Sequence, residues 1–490
     1  MRPVPFVSLI ARSSPRKRLW LAGAGLALFL LTFVVGNGFI RRDRAVARAD
    51  LGHDFLAFYT AATFVRDGHD RQLYDLDAVR QAESATARAA GIDLGTAFGP
   101  WWNPPFYALA LEPLAALPYA TALDVWRWIN LAALVAAAAV LGCMTPSQEA
   151  PGVHPGLRSA ALILLLLATS MPFIQAIGHA QNTCTSLLLL SVTVALWRSN
   201  RPMWAGLVGG LLFYKPQLAA VVAGVMAVDL GWAAVAGLST TGLALLLVTA
   251  VALPGSLGDW LHKLPANVRF MQVDHPYLWD RHVTIKSFWR LLLQGTGAGE
   301  ATMLTTTLTA ASWIAIAGGL AWVTIRSVID GRRLNREDAK MRRETRRSDL
   351  KLRAGEDRIA QRNSCSLSSS HLRAFAVQTP PPRRDRLITA TICATPLLMP
   401  FYFDYDLLLL AVPITLYAMD RDRDRLLTTA WVATYCWMFI NAPVASQLHV
   451  CGAVVQLAFV AAMSIRRVNR SEVPAASIPL PQSRPVAVAA

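Results

Sequence analysis

Residues 203–253 read MWAGLVGGLLFYKPQLAAVVAGVMAVDLGWAAVAGLSTTGLALLLVTAVAL, with only two charged side chains, Lys215 and Asp229, in the whole run. A bilayer crossing needs about 20 mostly apolar residues, fewer where a helix is broken. The stretch therefore divides into apolar segments at 203–214, 216–228 and 232–253, separated by Tyr214-Lys215-Pro216 and by Asp229–Gly231. No soluble domain needs so long an apolar run with so few charges. Working outward, comparable segments lie at 120–142, 158–175 and 181–198 on one side, and at 303–326, 387–400, 402–419, 426–441 and 447–464 on the other. An earlier one, Leu19 to Ile40, follows Arg16, Lys17 and Arg18 and precedes Arg41 and Arg42. It is too long for a signal-peptide core and has no small-residue cleavage site, so it reads as a retained anchor.

The expected fold class is an all-α polytopic membrane protein with about twelve transmembrane helices. A further apolar stretch at 104–118 is expected to dip into the bilayer without crossing, which keeps the number of crossings even. Composition agrees. The 490 residues are 54% hydrophobic and 16% charged, with mean hydropathy +0.38, whereas soluble domains carry about 25% charged residues. An ordinary soluble protein, a wholly disordered chain and a disulfide-stapled secreted domain are excluded.

Lys and Arg in short loops mark the cytoplasmic side. Arg198 and Arg201, then Arg421, Arg423 and Arg425, then Arg466, Arg467 and Arg470 fall in three such places, and the N-terminus is basic too. Both termini are thus expected in the cytoplasm of a plasma (inner) membrane protein. The expected organisation is a cytoplasmic N-terminus at 1–18, a membrane core at 19–326 with outer loops 41–103 and 254–302, a basic insert at 327–386, C-terminal membrane helices at 387–464 and a tail at 465–490. The net charge of +16 is concentrated: residues 332–386 hold 16 Lys/Arg against 7 Asp/Glu. Such a segment cannot bury a core and reads as a partly helical, otherwise disordered cytoplasmic linker. Its charge fits a positive-inside loop, with contact to anionic lipid as the alternative. No nucleic-acid partner is expected. The six cysteines form no C-x-x-C, and no Walker loop, dinucleotide fingerprint or metal-ligand spacing is present.

Chemistry outside the bilayer falls to the two outer loops. In the first, Phe55, Phe58, Tyr59 and Ala62 share one face of a helix that Gly68 ends, and a second helix is expected over about 76–90. Both are expected to lie on the membrane surface, aromatic side down. Asp54 at the start of the first helix has two readings. It is a preferred N-cap residue, and it is also a carboxylate placed to take a proton from a hydroxyl. His53 beside it either orients it or is a loop residue. Trp101 and Trp102 read as an interfacial aromatic belt, with sugar stacking as the alternative. Glu112, in the dipping segment, reads equally as a snorkelling or a functional acid.

Four stretches in order, DFLAFYTAATFVRDGHDRQLYD (54–75), WNPPFYALALEPLAALP (102–118), GHAQNTCTSLLLL (178–190) and AGLVGGLLFYKPQLA (205–219), resemble glycosyltransferase family 87, membrane enzymes of the GT-C type. The resemblance covers about 41–230 well and the later segments to about 464 more loosely. It implies a GT-C-like helix bundle with a large first outer loop of interfacial helices. It also implies a polyprenyl-phosphate-linked sugar as donor, mannose-like or another hexose or pentose, a lipid or glycan hydroxyl as acceptor, and inversion at the anomeric carbon; no cofactor is expected beside this donor, and the sequence leaves a metal requirement open. The family's catalytic acid falls on Asp54.

Basic side chains should meet the leaving phosphate. Lys215 falls on the family's intramembrane lysine, although a helix-end lysine reaching headgroups is the alternative. Arg281, His282 and Lys286, in DHPYLWDRHVTIKSFWRLL (274–292), are expected to form a phosphate clamp, although the segment departs from the commoner family pattern. His53, Tyr59, Asn103, Gln181, Asn182, Asp404 and Asp406 complete the candidates, as acceptor or cavity residues. For Gln181 and Asn182 the alternative is helix capping, and for the two aspartates it is stabilisation of a helix N-terminus.

Two other classes of function compete with this one. A secondary transporter or flippase would show paired broken helices, but the Lys215-Pro216 break has no clear counterpart in the second half. A non-catalytic scaffold would depend on the basic insert.

Overall fold

The computed structural model describes Gly23 and residues 53–91, 94, 99–145, 155–275, 277–356, 382–420, 422–441 and 446–469. The expected first span at 19–40 and most of the basic insert beyond Glu356 lie outside the described residues. Among these residues the regular elements are all helices, and the one β-type contact is an isolated antiparallel bridge between His282 and Phe403.

The expected first outer loop contains α1 (His53–Arg66) and α2 (Leu76–Ala89), joined by a short 3-10 turn. Asp75 caps α2 by accepting the N–H groups of Asp77 and Ala78. Next come α3 (Pro105–Ala115) and α4 (Tyr119–Met144), each entered through proline. The 11 residues of α3 span about 16 Å at 1.5 Å per residue, roughly half the hydrocarbon thickness. α3 alone is therefore too short to cross.

The aromatic face of α1 is not laid on lipid, which corrects the sequence expectation. Phe55 and Phe58 are buried, with Phe55 packed on Tyr119 and Trp126 of α4 and Phe58 on Trp126 and on Tyr107 of α3. Trp101 is likewise no belt residue. It is buried, stacked on Tyr107 and edge-on to Phe58. α1 to α3 thus share a core of their own with the first half of α4.

The helices that follow are α5 (Pro155–Ala168), α6 (Met171–Gly178), α7 (Thr183–Arg198), α8 (Pro202–Gly210), α9 (Pro216–Leu230) and α10 (Trp232–Ala252). α8 and α10 cross at glycine. A Cβ on Gly206 would strike the carbonyl of Ala234, and one on Gly237 the carbonyl of Met203. The expected second outer loop holds α11 (Ser256–Arg269) and α12 (Ile285–Gln294). The rest of the bundle is α13 (Met303–Glu356), α14 (Pro382–Leu398), α15 (Ala411–Met419), α16 (Arg425–Asn441) and α17 (Ser446–Asn469).

Among the described residues, four helices are long and apolar enough to cross a membrane: Tyr119–Met144, Trp232–Ala252, Met303–Asp330 and Val450–Val468. The segment expected at 158–175 is a pair bent by 65° between Ala168 and Met171, which gives up to five. Most of the remaining apolar segments are shorter helices, because proline or a 3-10 turn interrupts them. Leu211–Tyr214 is such a turn before α9, and Asp404–Leu410 another before α15.

The two charges of the 203–253 stretch lie at either end of α9. Asp229 accepts Trp197 Nε1 at 2.7 Å and pairs with Arg384 at 3.0 Å. At the same end of the bundle Arg198 pairs with Asp385, Arg383 with Asp330, and both Arg386 and Arg467 with Asp420. These bonds tie α7, α9, α13, α14 and α17 together. Lys215, about 20 Å away along α9, belongs to the other end.

Candidate functional site

Asp54 lies in the first turn of α1, held there because the turn's apolar neighbours are buried against α4. One carboxylate oxygen accepts Gln181 Nε2 at 2.7 Å, and His179 Nδ1 stands 3.7 Å from the same oxygen. The side chain keeps 36% of its exposure, and that of His179 keeps 30%, so a substrate hydroxyl can reach both.

The turn that delivers Gln181 and His179 is unusual. Ala180 has φ +51°, a left-handed conformation that few non-glycine residues adopt. Trp126 Nε1 donates to the Ala180 carbonyl at 2.7 Å and holds it there. The turn thereby brings Gln181 onto the Asp54 carboxylate. Asn182 is the N-cap of α7 but its side chain makes no cap bond, and its Nδ2 donates instead to the Tyr107 hydroxyl at 2.7 Å.

Lys215 does not reach for headgroups. It is 6% exposed and its Nζ lies 3.3 Å from Asp406 Oδ1, which also accepts the Thr183 hydroxyl at 3.1 Å. Arg281 pairs with Asp404 at 2.9 Å. The two aspartates come from one 3-10 turn, with Tyr405 between them, and that aromatic ring joins the cluster. Lys215 Nζ is 5.5 Å from its centroid, Arg281 Cζ 5.7 Å, and the His179 ring 6.4 Å. Asp54, Gln181, Lys215, Arg281, Asp404 and Asp406 are thus brought into one neighbourhood from α1, the α6–α7 turn, the α9 start, the second outer loop and the α15 entry.

Burial works against the Arg281 charge, but the adjacent Asp404 outweighs it and holds the guanidinium pKa above its ordinary value. The charge of Asp54 contributes in the same direction.

His282 and Lys286 sit on the far side of this cluster. Phe403 stacks on Tyr405 and meets His282 at a ring distance of 4.0 Å. His282 also stacks on Tyr277 and is 1% exposed. Burial, then the charges of Arg281 and Lys286, push its pKa down to about 3, so the ring is neutral at physiological pH. Lys286 donates to Gln272 Oε1 at 2.9 Å and lies over Trp279 and Phe401. In this geometry Arg281 turns to Asp404 while Lys286 turns to Gln272. A three-residue clamp is not assembled: His282 brings no positive charge, and the two cations have separate partners.

Of the other candidates, the Tyr59 hydroxyl donates to the Leu117 carbonyl at 2.8 Å and its ring meets Tyr119, a packing role. Asn103 offers its carbonyl to the Tyr74 hydroxyl at 2.8 Å. His53 opens α1, and its side chain lies outside the described residues. Sequence reasoning missed His179, Tyr405 and Thr183. The Asp404-Tyr405-Asp406 spacing was visible, but its pairing with cations some 120 and 190 residues earlier in the chain was not.

The fold and site define a class: a helical protein with apolar helices of membrane-crossing length, whose surface-loop carboxylate faces a cluster of paired cations. The model of Glycosyltransferase family 87 matches residues 101–341, about half of the chain. The chain belongs to glycosyltransferase family 87 and is a glycosyltransferase. The match includes Asn103, Gln181, Asn182, Lys215, Arg281, His282 and Lys286, whereas Asp54, Asp404 and Asp406 lie outside it. No curated protein and no solved structure matches the chain.

Proposed function

We propose that this enzyme transfers a sugar from a polyprenyl-phosphate donor to a hydroxyl of a lipid or glycan acceptor, at the outer face of the plasma (inner) membrane, with Asp54 as the base. The single observation that carries the reading is the meeting of a reachable carboxylate, Asp54, with two cations, Lys215 and Arg281, around the Tyr405 ring. A glycosyl transfer needs both at once. The acceptor O–H gives its proton to Asp54 as the oxygen attacks the anomeric carbon, and the bond from that carbon to the phosphate oxygen breaks. Attack opposite the departing phosphate inverts the anomeric carbon. The departing phosphate keeps the electron pair, and the positive ends of Lys215 and Arg281 stabilise that charge. Asp406 and Asp404 hold the two cations in place beforehand, so little reorganisation is needed during the reaction. Gln181 fixes the Asp54 carboxylate, and His179 lies where it meets either the carboxylate or an acceptor hydroxyl.

In the topology we propose, the shorter and broken helices complete about twelve crossings, both termini face the cytoplasm, and α1 to α3 lie at the outer surface. No other cofactor enters the scheme. The test is to incubate the purified protein with a panel of polyprenyl-phosphate sugars and a membrane lipid extract, and to identify products by mass. A product heavier than its acceptor by one sugar supports the proposal. Movement of lipid or solute across liposomes with no sugar-bearing product would replace it with transport.

A further inference from the structure

Glu83 occupies the middle of the buried stripe of α2, with Val79 and Ala87 one turn to either side. An apolar residue is the ordinary occupant of such a position, since a buried carboxyl group is costly. It is 1% exposed. Its Oε2 accepts the N–H of Gly99 at 2.9 Å, while Oε1 has no hydrogen-bond partner among the described residues. Gly99 in turn lies against α1, where a Cβ at Gly99 would stand 3.3 Å from the Cβ of Ala57. Ala57 is one helical turn beyond Asp54. Three chain segments therefore meet at Glu83: α2, the turn of α1 that follows Asp54, and the strap that leads from Gly99 to α3.

The rest of the strap is fastened as well. Trp101 packs on Tyr107 and Phe58, the Tyr74 hydroxyl donates to Asn103, and Trp260 Nε1 donates to the Trp102 carbonyl. Among the described residues, Glu83 and Trp101 are the fastenings of the strap that bear on α1 within a turn of Asp54, and of the two Glu83 alone is titratable.

We infer that Glu83 is a positioning residue for sugar transfer, clamping Gly99 onto Ala57 and so setting where α1 presents Asp54. This rests on the reading of Asp54 as the base. The titratable groups that bear on Glu83 are Asp54 from α1 and Tyr119 from α4. Burial pushes the Glu83 carboxyl up to about 8, the Gly99 N–H pulls it down, and the Asp54 charge pushes it up. At neutral pH the clamp is therefore a neutral acid beside the charged Asp54. Above that range it becomes a buried anion that repels the Asp54 charge.

The test uses the full-length protein with Glu83→Ala, Glu83→Gln and, as control, Asp54→Asn, assayed for transfer from a polyprenyl-phosphate sugar. In Glu83→Ala, kcat should fall about 10- to 100-fold with the donor KM little changed, the loss expected of a displaced reacting group. Glu83→Gln keeps the acceptor oxygen for Gly99 and should restore kcat to within about threefold of wild type. It should also hold its activity about one pH unit above 8, where the wild type declines. A protonated-carboxyl infrared band that titrates near pH 8 and vanishes in Glu83→Gln reads the same group without turnover.

Folded Glu83→Ala with wild-type kcat would overturn the inference. So would Glu83→Gln and wild type declining together as the pH rises, which decides the matter even if Glu83→Ala does not fold. Transfer that survives in Asp54→Asn would instead refute the reading of Asp54, leaving the infrared titration to report on Glu83.

Discussion

Lys215→Met separates what the buried ion pair does for the fold from what it does for the reaction. The two side chains keep 7% and 3% of their exposure, and the charges are 3.3 Å apart. At an effective dielectric of about 20 their attraction is roughly 5 kcal/mol, offset largely by the cost of removing both from water. Removing the lysine alone leaves Asp406 buried with Thr183 as its remaining side-chain donor. The expected loss is about 3 kcal/mol, a typical cost of breaking a buried pair. Replacing both partners, Lys215→Met with Asp406→Leu, removes the stranded charge and should recover stability to within about 1 kcal/mol of wild type. Transfer should not recover. Without one of the two phosphate-facing cations, kcat should stay about 100-fold or more below wild type.

The assays are the thermal midpoint of the detergent-solubilised protein by size-exclusion chromatography, and turnover per folded molecule. A stable double variant that transfers sugar at the wild-type rate would make the pair structural and refute its role. A Lys215→Met protein as stable as wild type would refute the burial argument itself.

Three further outcomes follow from the same geometry. Gly237→Leu should cost at least about 4 kcal/mol or abolish folded protein, because the side chain would enter the backbone of α8 at Met203; recovery of normal folded protein after purification would contradict it. Ala180→Gly should stabilise the site turn by about 0.5 to 1 kcal/mol with transfer intact, and Ala180→Val should lose both, since φ is +51° there; thermal midpoints and turnover check the pair. Replacing residues 336–379 by a flexible Gly/Ser linker of about six residues, which can turn back from the end of α13, keeps Arg383 and Arg386 on α14 with their partners Asp330 and Asp420, so transfer is expected to remain within about twofold of wild type; loss of transfer with the bundle intact would favour a scaffold role for the insert.

Much of the outer loop was legible in sequence because it depends on local chemistry. Helical spacing and Gly68 place α1, and the same spacing places α2 near 76–90. The partner of the aromatic face was not legible, since a lipid surface and the side of α4 present the same apolar surface to Phe55 and Phe58. The count of crossings was obscured for a related reason. Hydropathy reports that a segment is apolar but not that Ser170–Met171 bends it or that Leu211–Tyr214 tightens into a 3-10 turn.

At the site, Asp54 and Lys215 stand out as single polar residues beside apolar runs. Their surroundings depend on contacts between distant segments: Gln181 is 127 residues from Asp54, and Asp406 is 191 from Lys215. Capping and snorkelling were sound local explanations for Gln181 and Lys215, and tertiary packing displaced both. Glu83 gave no signal, because a lone acid on an amphipathic helix reads as part of the solvated face until the opposing strap is known.

The measurement that bears most directly on the proposed chemistry is sugar transfer from a polyprenyl-phosphate donor by Asp54→Asn at a folded amount matched to wild type. The substitution preserves the shape of the side chain and can keep an acceptor oxygen for Gln181, but removes the base. With Asp54 as the base, thermal midpoint and donor binding should be unchanged and turnover reduced by about 100-fold or more. Turnover near the wild-type rate, or a loss explained wholly by less folded protein, would show that Asp54 supports the helix and not the reaction.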